Sequence, residues 1–257
     1  MSNELAKKEE NLSFSEQLTT SLTVVKDALP KELNIPRFVQ NAVALLNDNP
    51  TLIQFAQKYG TTQIIQGLMK AAYLGLDFIN KECYLIPYGN QLNFMIDYRG
   101  NVKLSKKYSI RPIKDIYAKI VCEGDEIIEK VVNGEPTLDF TPMPFNDGKI
   151  IGAFAVCLYK DGGMAYDTMS LRELENTRSA SKAKNSPAWQ KFPGEMYKKT
   201  VLHRLCKHVE IEFDNPEQAT LFREDVEIET DTQKLVENEI ETFGNSEDFI
   251  DGEFTEE

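Results

Sequence analysis

The 257-residue sequence predicts an α+β fold with N-terminal helices, a central antiparallel sheet of hairpins, C-terminal helices and an acidic disordered tail. Apolar residues recur at helical spacing in the first 80 residues and again after Ser170. Between these regions, three pairs of apolar runs are each interrupted by turn-forming residues, which is typical of β-hairpins. Helices segregated from such a sheet form an α+β layer architecture, so we expect the early helices to cover one of its faces.

Three helices are predicted at the N-terminal end. Ser13 and Glu16 form a capping box that opens a helix running to about Ala28. A second helix begins near Pro36, because proline is tolerated in the first turn and apolar residues follow at helical spacing. The third spans Thr61 to Leu74 and ends at Gly75.

Three hairpins are predicted in the middle of the chain, around the turns Gly89-Asn90, Asn133-Gly134 and Asp161-Gly162-Gly163. The flanking strands are Glu82–Tyr88 with Gln91–Asp97, Glu126–Val132 with Glu135–Phe140, and Ile150–Tyr159 with Ala165–Met169. After them, Ser170 and Glu173 form a second capping box, and a last helix is predicted from about Gly194 to His208.

Charge divides the chain into two parts. The formal net charge is −12, but residues 216–257 hold 15 acidic and 2 basic residues, which gives them a net charge of −13. We therefore expect a folded core over residues 1–215 and an acidic, largely disordered tail over residues 216–257. The tail either competes with a ligand for the binding surface of the core, docks a partner or only solubilises the chain.

Basic residues within the core are concentrated in two stretches. Residues 98–112 carry five basic and no acidic side chains, and residues 178–208 carry eight basic ones and a single acid, Glu195. Such clusters are typical of a phosphate-binding surface, although a solvated charged face has the same composition.

A helix over residues 98–107 would place its cations on one side. Arg99, Lys103, Lys106 and Lys107 fall within an arc of about 100°, and a one-sided row of cations suits a phosphate backbone. Arg111 follows in the same stretch.

The second basic stretch combines a polar loop with a helix. The loop contributes Arg178, Lys182, Lys184 and Lys191, and the helix contributes Lys198, Lys199 and Arg204. Trp189 either stacks on bases or anchors the core. Lys198 falls within the apolar arc of its helix, so it either extends to solvent or reaches a partly buried phosphate.

Other function classes find no support in the sequence. It has no GxxxxGK[ST] motif, so we expect no ATP hydrolysis and no cofactor. No carboxylate cluster of nuclease type stands out, so we do not expect an enzyme. The four cysteines are scattered without a CxxC motif and the N-terminus lacks a secretory signal, which favours a reducing cytoplasm. No apolar run is long enough to predict a membrane span.

Three segments resemble the RecT family of phage and prophage single-strand annealing proteins. They are GLMKAAYLGLDF (67–78), CYLIPYGNQLNFMIDYRGNVKLSKK (83–107) and AWQKFPGEMYKKTVLHRLCKH (188–208). Asp97 stands where the family commonly has Gly, and Arg99 where it commonly has Lys. His203 and Arg204 occupy a place that is often Arg-Asn.

The resemblance implies DNA-binding roles for Tyr98, Arg99, Lys103, Trp189, Lys198, Lys199 and Arg204. It also implies ATP-independent binding and annealing of single strands in recombination, and assembly of copies into rings or helical filaments. A phage exonuclease and the host single-strand-binding protein are the implied partners. Lys106, Lys107, Lys182 and Lys184 rest on charge geometry alone. The alternative is a passive protein that protects single strands without accelerating their pairing.

Overall fold

A computed structural model describes residues 13–181 and 184–223. Four helices form the N-terminal part: α1 (Phe14–Val24), α2 (Ile35–Asn47), α3 (Pro50–Tyr59) and α4 (Thr62–Leu74), with a 3-10 turn at Lys26–Ala28 after α1. The capping box of α1 is present, since the Glu16 carboxylate accepts the Ser13 backbone N–H at 2.8 Å. Helix α3 was not predicted, because its Asn49-Pro50 start has the sequence of a turn. The Asn49 side chain instead caps it.

The first hairpin, β1 (Cys83–Tyr88) and β2 (Gln91–Ile96), packs on these helices. Its inward-facing residues, Leu85 and Phe94 among them, join the apolar core of the N-terminal helices. Gly67 on α4 permits close approach, because a Cβ there would overlap the Leu85 side chain.

Helix α5 (Tyr98–Tyr108) links this part to the central sheet. That sheet contains β3 (Ile113–Cys122), β6 (Ile150–Tyr159) and β7 (Met164–Ser170) in the order β3-β6-β7, all antiparallel. Strands β4 (Glu126–Val132) and β5 (Glu135–Thr141) form a separate hairpin. Helices α6 (Leu171–Ala180), α7 (Pro187–Lys191) and α8 (Pro193–His208) follow.

The central sheet is covered on both faces. Alternate residues of β6 face opposite sides, as in any strand. Ala155 and Cys157 pack in a core with Val201 and Leu205 of α8. Phe154 belongs to a second core with the β4–β5 hairpin, where its ring centroid is 4.8 Å from that of Phe140. Helix α8 is therefore held firmly against the sheet.

The α+β fold, the three hairpins and the capping box of α6 are confirmed. The arrangement of the layers differs from the expectation in one respect. The early helices cover the β1–β2 hairpin, and α8 covers the central sheet, since the hairpins belong to three separate sheets. Strand β3 was not predicted because its partner is β6, about 40 residues later in the chain, and local turn signals do not reveal such pairing.

Packed structure continues past residue 215, where the sequence suggested that the core ends. Residues 216–223 are helical. Gln218 is fully buried, and its amide donates to the Tyr73 carbonyl oxygen at 2.8 Å. The Phe222 ring packs against the Phe213 ring at a tilt, with 5.5 Å between ring centroids. The expected disordered tail from residue 224 onward lies outside the described residues. Within the described ranges, no helix is both long and apolar enough to cross a membrane.

Candidate nucleic-acid interface

The two basic stretches meet where α5 packs beside α8. Lys199 Nζ lies 2.5 Å from the Asp97 carboxylate, and Asn101 Nδ2 lies 2.8 Å from His203 Nδ1. Each contact joins residues 102 positions apart in the chain. Helices that the sequence placed in separate segments thus form one surface.

Two cations converge on a single aromatic ring in this surface. The Arg99 guanidinium carbon is 5.4 Å from the centroid of the Tyr98 ring, and Lys199 Nζ is 5.5 Å from the same centroid. We call Tyr98, Arg99 and Lys199 the Tyr98 cluster. A hydrogen bond to Tyr98 raises the pKa of Arg99, which keeps the guanidinium charged. Both cations retain donors that an anion could accept, so the cluster is suited to binding a phosphate.

Asp97 determines the position of this cluster. Its side chain is only 2% exposed, and its carboxylate caps α5 by accepting the Arg99 backbone N–H. The same carboxylate holds the Lys199 ammonium. A buried carboxylate with a charged partner is costly to leave unpaired, so Asp97 keeps Lys199 close to Tyr98.

The lysines farther along α5 do not form the open cationic row that helical spacing suggested. Lys103 binds the Glu82 carboxylate at 2.7 Å and the Gly75 carbonyl oxygen at 2.8 Å. Lys106 pairs with Asp115 and Lys107 with Glu32, each at 3.0 Å. The expected row does not form because each lysine pairs with a carboxylate from another part of the chain. A helical wheel of α5 alone does not show those carboxylates.

These pairs differ in how readily they could be exchanged for a phosphate. The Lys106 and Lys107 pairs are exposed, and exposed pairs contribute little to stability. Lys103 is held by a largely buried carboxylate and by a backbone carbonyl, which is a structural role. Lys106 and Lys107 therefore remain candidates for DNA contact, and Lys103 is a weaker one.

On helix α8, too, basic residues pair with carboxylates, and these pairs differ in how exposed they are. Lys198 extends past the apolar arc to pair with the exposed Glu195 at 2.6 Å. Arg204 makes hydrogen bonds to the Asp167 carboxylate and the Thr168 carbonyl oxygen, and the Asp167 bond raises its pKa. Arg204 thus fastens α8 to β7, and few of its donors remain for a phosphate.

The loop before α7 and α7 itself expose their lysines but not the tryptophan of α7. Trp189 is buried, and its ring centroid lies 5.8 Å from that of Tyr197. The Arg178 guanidinium lies 5.4 Å from the centroid of the Trp189 ring. It is a core anchor. Lys184 and Lys191 are exposed, whereas Lys182 lies outside the described residues.

Arg111 lies in the connection between α5 and β3 and reaches the β6–β7 turn. Its guanidinium makes a bidentate pair with Asp161, with contacts of 2.9 and 3.1 Å, and lies 4.0 Å from the Tyr159 ring centroid. The arginine therefore braces the β6–β7 turn.

Sequence reasoning missed Tyr84 on β1, which is 38% exposed and lies opposite Met95, two residues before Asp97. Burial of part of the ring and the nearby Asp97 charge raise the pKa of Tyr84, and Arg99 opposes them. The available signal was the alternation of Tyr84, Ile86 and Tyr88 along one strand, which places all three on the same face.

Comparison with known proteins identifies the family. A sequence model of the RecT family matches residues 36–238. The chain is 26% identical to the protein RecT of Escherichia coli (strain K12) over 232 residues, which cover 86% of this chain and 84% of that protein. The matched region includes α5 and α8, and with them the whole Tyr98 cluster. The chain therefore belongs to the RecT family of recombination and strand-annealing proteins.

Proposed function

We propose that the protein binds single-stranded DNA at the Tyr98 cluster and anneals complementary strands without ATP, a cofactor or covalent catalysis. The observation that carries this proposal is the convergence of Arg99 and Lys199 on Tyr98 across the α5–α8 contact. Cations from two helices fixed in one place offer a phosphate a preorganised site.

Annealing requires that the repulsion between two phosphate backbones be reduced while the bases stay free to pair. Cations that contact the backbone reduce the repulsion without reading the sequence, because base pairing supplies all specificity. Lys106, Lys107, Lys184 and Lys191 are exposed and are further candidates for contact with the backbone.

Assembly would increase the effect of a single site. Copies arranged in a ring or helical filament would present the cluster repeatedly to one strand, and linked weak sites bind far more tightly than one alone. An exonuclease that supplies single strands and a host single-strand-binding protein are the partners that fit this activity, in a bacterial cytoplasm.

The test is the time course of pairing between two complementary oligonucleotides, followed by energy transfer between end labels. Without ATP, added protein should accelerate pairing over the spontaneous rate and retain the duplex more firmly than either strand. Slower pairing at every ratio of protein to DNA would instead establish the passive, strand-protecting function.

A further inference from the structure

One face of the β1–β2 hairpin packs against the N-terminal core, and the other face points away from it. Its register opposes Tyr84 to Met95, Ile86 to Asn93 and Tyr88 to Gln91, and these six side chains share the outer face. The intervening residues, such as Leu85 and Phe94, face the N-terminal core and are buried. This hairpin therefore displays two tyrosines, an isoleucine and a methionine away from the core.

This outer face is partly exposed. Tyr84 and Tyr88 are each 38% exposed, and Ile86 and Met95 are only partly buried. None of these four side chains belongs to the apolar clusters of the described residues. An apolar face that stays this exposed on a folded hairpin indicates a binding surface.

The outer face is continuous with the Tyr98 cluster. Strand β2 leads through Asp97 directly into α5, and Tyr84 is the cross-strand neighbour of Met95. Tyr84 is close enough to Arg99 for each charge to influence the pKa of the other. A strand with a phosphate at Arg99 would therefore have its adjoining bases beside Tyr84.

We infer that the outer face of the β1–β2 hairpin is a stacking surface for unpaired bases of the strand whose phosphates bind the Tyr98 cluster. This inference rests on the proposed function. Tyr84 and Tyr88 are four positions apart along a strand, which is about 13 Å. Because stacked bases in a duplex rise by roughly 3.4 Å, the face has room for several bases.

Stacking on this face is compatible with annealing. A tyrosine ring contacts the flat face of a base and does so whatever the base sequence. The hydrogen-bonding edges point away from a stacking partner, so they stay available to a second strand. The surface would thus order the bases without reading them or hiding them.

An abasic oligonucleotide separates stacking from phosphate contact. We would measure the affinity of full-length protein, by fluorescence anisotropy, for oligothymidylate and for an abasic strand of the same length and charge. Tyr84→Ala should weaken oligothymidylate binding about fivefold or more, as expected when one base no longer stacks, and leave abasic binding unchanged. Tyr84→Phe should bind both strands like the unsubstituted protein.

Two controls complete the design. Arg99→Ala should weaken binding of both strands, because it removes a phosphate contact. Tyr117→Ala removes a tyrosine of similar exposure, 36%, from β3 and should change neither affinity. If Tyr84→Ala lowers both affinities equally, or neither, the stacking inference is overturned while DNA binding stands. If the unsubstituted protein binds neither strand, the proposed function itself fails.

Photocrosslinking tests the inference without any substitution. Oligonucleotides that carry 5-iodouracil crosslink to aromatic side chains that contact the base. Mass spectrometry of the unsubstituted protein should find the crosslink on the peptide containing Tyr84 or Tyr88. Crosslinks confined to other peptides would overturn the inference.

Discussion

The Lys199 ammonium and the Asp97 carboxylate form an ion pair of 2.5 Å between the start of α5 and the middle of α8. One carboxylate thereby serves two purposes, since it caps α5 and positions a cation beside Tyr98. The pair connects the N-terminal helices and hairpin, through α5, to the helix that covers the central sheet.

The two roles of Asp97 can be separated by substitution. Asparagine caps a helix about as well as aspartate but carries no charge, whereas alanine has neither the capping oxygen nor the charge. We predict that Asp97→Ala is less stable than Asp97→Asn by about 1 kcal/mol, the usual contribution of a cap. Both should be less stable than the unsubstituted protein in urea unfolding. Equal stability of all three proteins would show that the Asp97 side chain contributes nothing to folding.

Lys103 and Lys106 lie one turn apart on α5 and form a matched pair of substitutions. Lys103→Ala removes hydrogen bonds to the Gly75 carbonyl and to the largely buried Glu82, and we expect it to lower stability by about 1 kcal/mol. Lys106→Ala removes an exposed pair and should alter stability by less than about 0.5 kcal/mol. Urea unfolding of the two variants measures which of them is the less stable. The reverse order would mean that Lys103 is available for DNA.

Trp189 provides a test that needs no variant, because it is the only tryptophan in the chain. Its burial against Tyr197 predicts blue-shifted emission and poor quenching by iodide. Addition of single-stranded DNA should change the emission little, since the ring is not available for stacking on bases. Strong quenching of the Trp189 emission by an oligonucleotide would show that Trp189 contacts DNA.

The packing of Gln218 determines where the acidic tail can be removed. A chain that ends at residue 223 keeps the hydrogen bond from Gln218 to Tyr73 and the packing of Phe222 against Phe213. We predict that it binds single strands at least as tightly as the full chain, because acidic charge has been removed. A chain that ends at residue 215 should be less stable by roughly 2 kcal/mol or more. Weaker DNA binding by the 223-residue chain would exclude competition between tail and DNA.

Local sequence signals predicted most of the elements. Ser13 with Glu16, and Ser170 with Glu173, specify helix starts by hydrogen bonds within one turn. Asn133-Gly134 specifies a hairpin, because both residues adopt positive φ, +54° and +84°. In each case, the interacting groups lie within a few residues of one another.

Long-range contacts could not be predicted in this way. Lys103 and Lys107 were placed on the correct helix, but their partners, Glu82 and Glu32, lie 21 and 75 residues away. The charge pattern of one helix does not reveal which carboxylates will face it. The same reason explains why Tyr84 was missed, because its proximity to Arg99 depends on how β2 leads into α5.

The central claim is that Arg99 and Lys199 hold the DNA backbone, and the annealing rate of an Arg99→Ala, Lys199→Ala double variant tests it most directly. Arg37→Ala with Lys149→Ala is the charge-matched control, since both residues are exposed and neither belongs to the Tyr98 cluster. We predict that the double variant no longer accelerates pairing appreciably. The salt dependence of its single-strand affinity should also become shallower. The slope of log affinity against log salt concentration should fall by about 0.7 for each phosphate that is no longer neutralised. The control should anneal like the unsubstituted protein. A folded double variant that anneals at the unsubstituted rate would contradict the account.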